Sequence, residues 1–145
     1  MATSRLRSTS KTLEEWIELY NKKVPEGFKR DKRYSLFYLA EKGFAEFGDS
    51  GTTIVVYQMC GELKFWRFFA ETLARKLGYK SIGTIAVRHI KPYLRLTGFV
   101  PYKIEKTPQG DRYFCTDKNT GQKGQASPAG EGTYYITWEV PPDEL

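Results

Sequence analysis

Residues 52–59, TTIVVYQM, constrain the fold more than any other stretch. The β-branched run is nearly continuous, which suits a central strand buried on both faces. Gly61 breaks the run, and ELKFWRFFAETLARKLG takes over with helical spacing. Leu63, Trp66, Ala70, Leu73 and Leu77 form one stripe, widened by Phe65 and Phe69. Gly78 suits the left-handed position after a helix end. SIGTIAVR, 81–88, predicts a second strand. Residues 90–97 predict a short helix, with Pro92 in the first turn, where proline is tolerated, and Gly98 as the stop. Strands joined by crossover helices in the second half of the chain imply a mixed sheet covered by helices.

The flanks add smaller elements. Thr12 and Glu15 match a capping box, and Leu13, Trp16, Ile17 and Tyr20 repeat at helical spacing until Pro25 and Gly27. YSLFYLAEKGFAEF, 34–47, starts with strand-like alternation at Tyr34, Leu36, Tyr38 and Ala40, which fades after Gly43. GDSG at 48–51 is a turn signal. VPYKIEKT and DRYFCTD predict a hairpin across 108–110. NTGQKGQASPAGEG, 119–132, carries four glycines and no large apolar residue, so it predicts a mobile loop. GTYYITWEV predicts the last strand. The expected fold class is α/β (α+β), a mixed central sheet flanked by helices in a single domain at 12–140. A basic tail at 1–11 and a short tail at 141–145 are expected outside it.

The chain of 145 residues can bury a core without staples. Cys60 and Cys115 are far apart and form no CxxC, so two buried thiols are expected rather than a disulfide or a metal site. No run approaches the ~18 apolar residues of a membrane span. The N-terminus lacks the apolar core of a secretory signal. These features predict a soluble cytoplasmic protein. The net charge of +6 is clustered: Arg5, Arg7 and Lys11 carry no nearby acid, and six cations at 22–33 face only Glu26 and Asp31. Residues 88–106 are also cation-rich. Such clusters attract phosphate-bearing partners, or are a solvated surface.

The order TIVVYQMCG, long helix to KLGYKSI, GTIAVR, PYLRLTGF resembles the core of the GNAT (Gcn5-related N-acetyltransferase) superfamily. HIKPYLRLTGF, 89–99, also looks like the small GNAT-like proteins of bacteriophages, some carried in the virion. The resemblance implies acetyl-CoA as cofactor, an amine-bearing substrate, and a Q/R-x-x-G-x-G/A turn whose amides cradle the pyrophosphate. Gln58, Met59, Cys60 and Gly61 fall on that turn. Leu63 stands where Gly or Ala is expected and Glu62 adds a negative charge, which Lys64 and Arg67 would offset. The alternative is a plain strand-to-helix turn needing one glycine. The family's acid is a tyrosine four residues before the glycine of "GF"; Leu94 occupies that position here, with Tyr93 beside it. Tyr93 is the candidate acid and His89, the only histidine, the candidate base. Glu41 and Glu46 flank the earlier strands, where some members place a carboxylate. Glu71 is expected to be solvated.

Three functional classes follow from these readings. One is an acyl-CoA-dependent N-acetyltransferase with an altered cofactor motif. Another is a GNAT-like phage virion or regulatory protein without catalysis. A third is a basic nucleic-acid-binding protein, suggested by the charge and by the aromatics in FKRDKRYSLFY. The oligomeric state is left open by the sequence.

Overall fold

A computed structural model of the protein describes residues 10–87, 90–130 and 132–141. Helix α1 (Leu13–Lys23) precedes strands β1 (Ser35–Leu39), β2 (Gly43–Ser50) and β3 (Thr53–Gly61). Helix α2 (Leu63–Leu77), β4 (Ser81–Val87) and α3 (Ile90–Thr97) follow. The chain closes with β5 (Phe99–Thr107), β6 (Gly110–Asp117), β7 (Lys123–Pro128) and β8 (Thr133–Glu139). These build a single-domain α+β fold with one eight-stranded open sheet in the order β1-β2-β3-β4-β8-β7-β6-β5. Only β3 and β4 pair in parallel; the other neighbours are antiparallel.

The helices divide between the two faces. Helices α2 and α3 pack on one face, where Trp66, Ala70, Ala74, Ile90 and Leu94 meet Phe47, Ile54, Val56, Ile82 and Ile136. Helix α1 covers the other face over β1–β3, with Trp16 against Phe44 and Cys60. The Thr12–Glu15 capping box is formed. Two tryptophans clamp the β1–β2 turn from opposite faces: Trp16 Nε1 donates to the Ala40 carbonyl at 3.0 Å, and Trp66 Nε1 to that of Lys42 at 2.8 Å. Each indole thus buries its ring and still satisfies its one donor.

Several expectations change. Strand β3 runs through to Gly61 instead of ending before it. GDSG is not the turn: Gly48–Ser50 continue β2, and the chain reverses at Gly51 and Thr52, since Ser50 pairs with Thr53. The stripe of α2 is Trp66, Ala70 and Ala74, and Leu77 is 62% exposed. Phe65, Phe69 and Leu73 pack against the same cluster while half-buried. Segment 119–132 is not a loop throughout, because Lys123–Pro128 forms β7 between β6 and β8. Small residues fit there: Ala126 is fully buried, and a Cβ on Gly124 would meet Phe99 and Trp138 at 3.1–3.3 Å.

Trp66→Ala is expected to destabilise by about 3–5 kcal/mol, through a cavity in the core. Leu77→Ala should change stability by no more than about 0.5 kcal/mol. Urea unfolding of the two variants checks the pair; equal losses would misplace the stripe.

Candidate functional site

The parallel pair β3–β4 is the place to look. Its rungs join Thr53 to Ser81, Ile54 to Ile82, Val55 to Gly83 and Val56 to Thr84, and stop there. Beyond Val56, Tyr57 and Gln58 together oppose the single residue Glu46 of β2, a bulge that bends β3. The two parallel strands therefore part after the fourth rung. The Thr84 hydroxyl donates to the Val56 carbonyl at 3.1 Å, closing the last rung with a side chain.

A cavity of about 30 Å³ lies at this parting, lined by Val56, Met59, Leu63, Arg67, Thr84 and Tyr93, among others. That is room for a water molecule, not for a ligand of drug size. The Tyr93 and Thr84 side chains face each other across this cavity. Burial raises the Tyr93 pKa above 10, while Thr84 and the Arg67 charge pull it back. The phenol is consequently protonated at neutral pH. Leu94 points into the core, 1% exposed. His89 lies outside the described residues.

The cofactor turn is built differently from the sequence expectation. Gly61 has φ +121°, and a Cβ there would sit 2.0 Å from the Lys42 carbonyl oxygen; one on Gly43, φ +104°, would sit 1.9 Å from the Cys60 oxygen. The two glycines are register partners whose backbones cross too closely for any side chain. That crossing demands a glycine at 61 with or without a ligand. Glu62 pairs with Lys42 at 2.8 Å, so neither Lys64 nor Arg67 offsets its charge. Lys64 is exposed. The first-turn amides of α2, from Leu63 to Phe65, have no intrahelical acceptor, and no side chain caps them.

Gln58 and Cys60 face the α1 side. Gln58 Nε2 donates to Glu46 at 2.7 Å and to the Lys29 carbonyl, and its oxygen accepts from the Lys29 amide at 2.9 Å. Glu46 is fully buried and paired with Arg30 at 3.0 Å, on the face opposite Tyr93. Glu41 is exposed in the β1–β2 turn. Burial raises the thiol pKa of Cys60, against the pull of Lys23 and Lys11, and pushes that of Cys115 up to about 11. Both are free, buried and poor nucleophiles. Of the predicted set, the fold brings Met59 and Tyr93 to the cavity and takes Gln58, Cys60 and Gly61 into other contacts.

Arg67 reaches the cavity but belongs to a network. Its guanidinium pairs with Asp117 at 2.8 Å and Glu71 at 3.1 Å. It also donates to the Thr97 carbonyl at 2.9 Å and to Gln122 Oε1 at 3.1 Å, and lies 4.7 Å from the Phe99 ring centroid. Glu71 is not solvated: its Oε2 accepts from Arg67, from Gln122 Nε2 at 3.1 Å and from Trp138 Nε1 at 2.9 Å. Asp117, Gln122 and Trp138 carry no mark in the sequence as members of a cluster. Asp117 and Gln122 share the β6–β7 turn, where the Asp117 amide donates to the Gln122 carbonyl, and the sheet order brings Trp138 and the distant Arg67 to them.

No protein-family model matches the chain, and no curated protein matches it in sequence.

Gly61→Ala is expected to cost at least about 3 kcal/mol, because strain at positive φ adds to a backbone collision. Gly51→Ala, at φ +69° with nothing within 4 Å, should cost only about 1–2 kcal/mol. Thermal unfolding of both variants tests whether the crossing, rather than a ligand, demands Gly61. A second prediction concerns acid. Burial would raise the Asp117 pKa, but the Asn119 and Thr120 amides and Arg67 outweigh it and leave it below the ordinary 3.8. A carboxyl with a lowered folded pKa contributes stability that is present above its unfolded value and lost as pH falls through the folded one. Denaturant titrations should show this loss beginning near pH 4. Asp117→Asn should be less stable at pH 7 and should lack that part of the acid slope; an unchanged slope would remove Asp117 as its source.

Proposed function

We propose that the chain is a GNAT-like protein whose β3–β4 opening receives the acyl end of an acyl-CoA for transfer to an amine. The supporting observation is the parting of the parallel pair β3–β4 after Val56 and Thr84, with Tyr93 lining the cavity at that point. Main-chain amides at 57–59 lie beyond the last rung on β3, where they would polarise a carbonyl. Tyr93 holds a phenolic proton at the same cavity and would deliver it to the departing CoA thiolate, while the attacking amine gives up a proton to water, from which Tyr93 is reprotonated. The resemblance stated from TIVVYQMCG to PYLRLTGF supports the same reading.

The phosphate end is gripped weakly. Gln58 and Arg67 are committed to protein partners, leaving Lys64 and the first-turn amides of α2 to meet the pyrophosphate. Opening of the cavity is also required, since about 30 Å³ is below the size of a thioester arm. One observation favours a second reading, a GNAT-like framework without catalysis: Leu63 lines the cavity at the position where the family motif has Gly or Ala.

Acetyl-CoA at ~10 mM is expected to stabilise the protein by roughly 1.4 kcal/mol, as for a Kd of about 1 mM, seen as a rise of ~3–5 °C in Tm. Leu63→Ala should enlarge the shift. Tyr93→Phe should keep the shift and lower acetyl transfer to an amine by about 10²–10⁴-fold. Absence of any shift in wild type and in Leu63→Ala would leave the inert framework.

A further inference from the structure

The face opposite α2 and α3 is covered by α1 only over β1–β3. Across β4–β8–β7–β6–β5 it is open, and alternation places there Thr137 and Glu139 of β8, Lys123 and Gln125 of β7, and Phe114 of β6. Strand β5 adds Tyr102, the extra residue at a bulge between Pro101 and Lys103, which re-aims its side chain. Tyr102 is 61% exposed. A solvent-open trough of about 260 Å³ runs between Lys80, Tyr102, Phe114, Lys123 and Thr137. The Lys103 ammonium lies 5.4 Å from the Phe114 ring centroid. Three lysines thus flank two aromatic rings, while the two acids on this face are engaged: Glu139 accepts from the Lys123 amide at 2.9 Å and Glu105 pairs with Arg112 at 3.0 Å.

The aromatic surface continues beyond the trough. A Cβ on Gly83 would meet the Tyr135 hydroxyl at 2.7 Å, and one on Gly48 would meet the Tyr57 ring at 2.6 Å. These two glycines let the rings lie close against the sheet. Tyr57 in turn stacks on Tyr34 at 4.0 Å and 12°.

We propose that this open face binds single-stranded nucleic acid, with bases stacking on Tyr102 and Phe114 and phosphates met by Lys80, Lys103 and Lys123. Charge complementarity selects a polyanion. The exposed rings distinguish a strand with free bases from an acidic polypeptide, which offers carboxylates but no stacking partner. A duplex keeps its bases stacked on one another and would use the lysines alone. The face lies on the other side of the sheet from Tyr93, so this binding stands independently of acyl transfer.

Fluorescence anisotropy of a labelled oligothymidylate of about 15 nucleotides tests it, within the span of single-strand binding folds. Three phosphate contacts predict a slope of log K against log salt near −2, or roughly a twentyfold loss between ~50 and ~200 mM salt. Tyr102→Ala should weaken binding about tenfold at an unchanged slope. Lys123→Ala should reduce the slope by about 0.7. Both side chains are exposed, and an unchanged Tm confirms that each variant folds. No binding at ~50 mM salt overturns the proposal. So does equal affinity for duplex, or equal competition by polyglutamate, with Tyr102→Ala indistinguishable from wild type.

Discussion

The Arg67 guanidinium ties the helices α2 and α3 to one end of strands β6, β7 and β8. It leaves the middle of α2 and meets the end of α3 at Thr97, the end of β6 at Asp117 and the entry to β7 at Gln122. Through Glu71 and the Trp138 indole it also reaches β8. A buried charge is tolerated only when paired and hydrogen-bonded, and removing one member leaves the others uncompensated at a cost of about 3–5 kcal/mol. The network therefore acts less as a source of net stability than as a fixed geometry. Any displacement of α3 against α2 would break the bond at Thr97. Because Thr97 Oγ1 also bonds the Tyr93 carbonyl at 3.0 Å, the position of Tyr93 beside the strand opening follows from the same tie.

A residue so engaged is poorly placed to serve a phosphate. The same holds on the other side of the turn, where Gln58 is held between Glu46 and the Lys29 backbone. In both cases a residue type suited to anion binding is drawn instead into an internal polar cluster, one on each face of the sheet. The glycine between them answers to a backbone crossing at Gly43. Three residues that look like one motif in the chain thus obey three separate constraints in space. Under the proposed binding of an acyl-CoA, the helix start is left to meet the phosphates, and a weak grip is expected.

The sequence shows elements whose cause is local. The capping box at Thr12, the β-branched run of β3, the left-handed Gly78 and the β5–β6 hairpin each depend on neighbours within a few residues, and each is found. The features it hides have distant causes. Strand β7 lacks large apolar residues because Phe99 and Trp138, from other strands, fill the space above it. Glu71 looks like an ordinary helix-surface acid until β7 and β8 bring Gln122 and Trp138 against it. The close crossing at Gly61 is invisible in the chain because its register partner, Gly43, lies 18 positions earlier across an antiparallel pair. At the candidate site, Tyr93 stands out in the chain but its place beside Thr84 does not, since that depends on where β4 stops pairing with β3.

The two faces of the sheet also differ in what their composition asks of them. The covered face carries Val56, Ile82, Ala86 and Ile136, all nearly inaccessible, and this is where apolar burial stabilises the fold. On β6 and β8 burial alternates strictly, Tyr113, Cys115, Ile136 and Trp138 going inside. An antiparallel sheet can leave its second face to water, and polar residues such as Gln125 and Thr137 are sufficient for that purpose. Tyr102 and Phe114 are not needed for solvation, and at 61% exposure Tyr102 adds little to the core. Large rings kept at the surface beside lysines are retained against the cost of exposing apolar area to water. The covered face explains how the chain folds; the open face carries rings beyond what folding needs, and that excess is the ground for the proposed nucleic-acid surface.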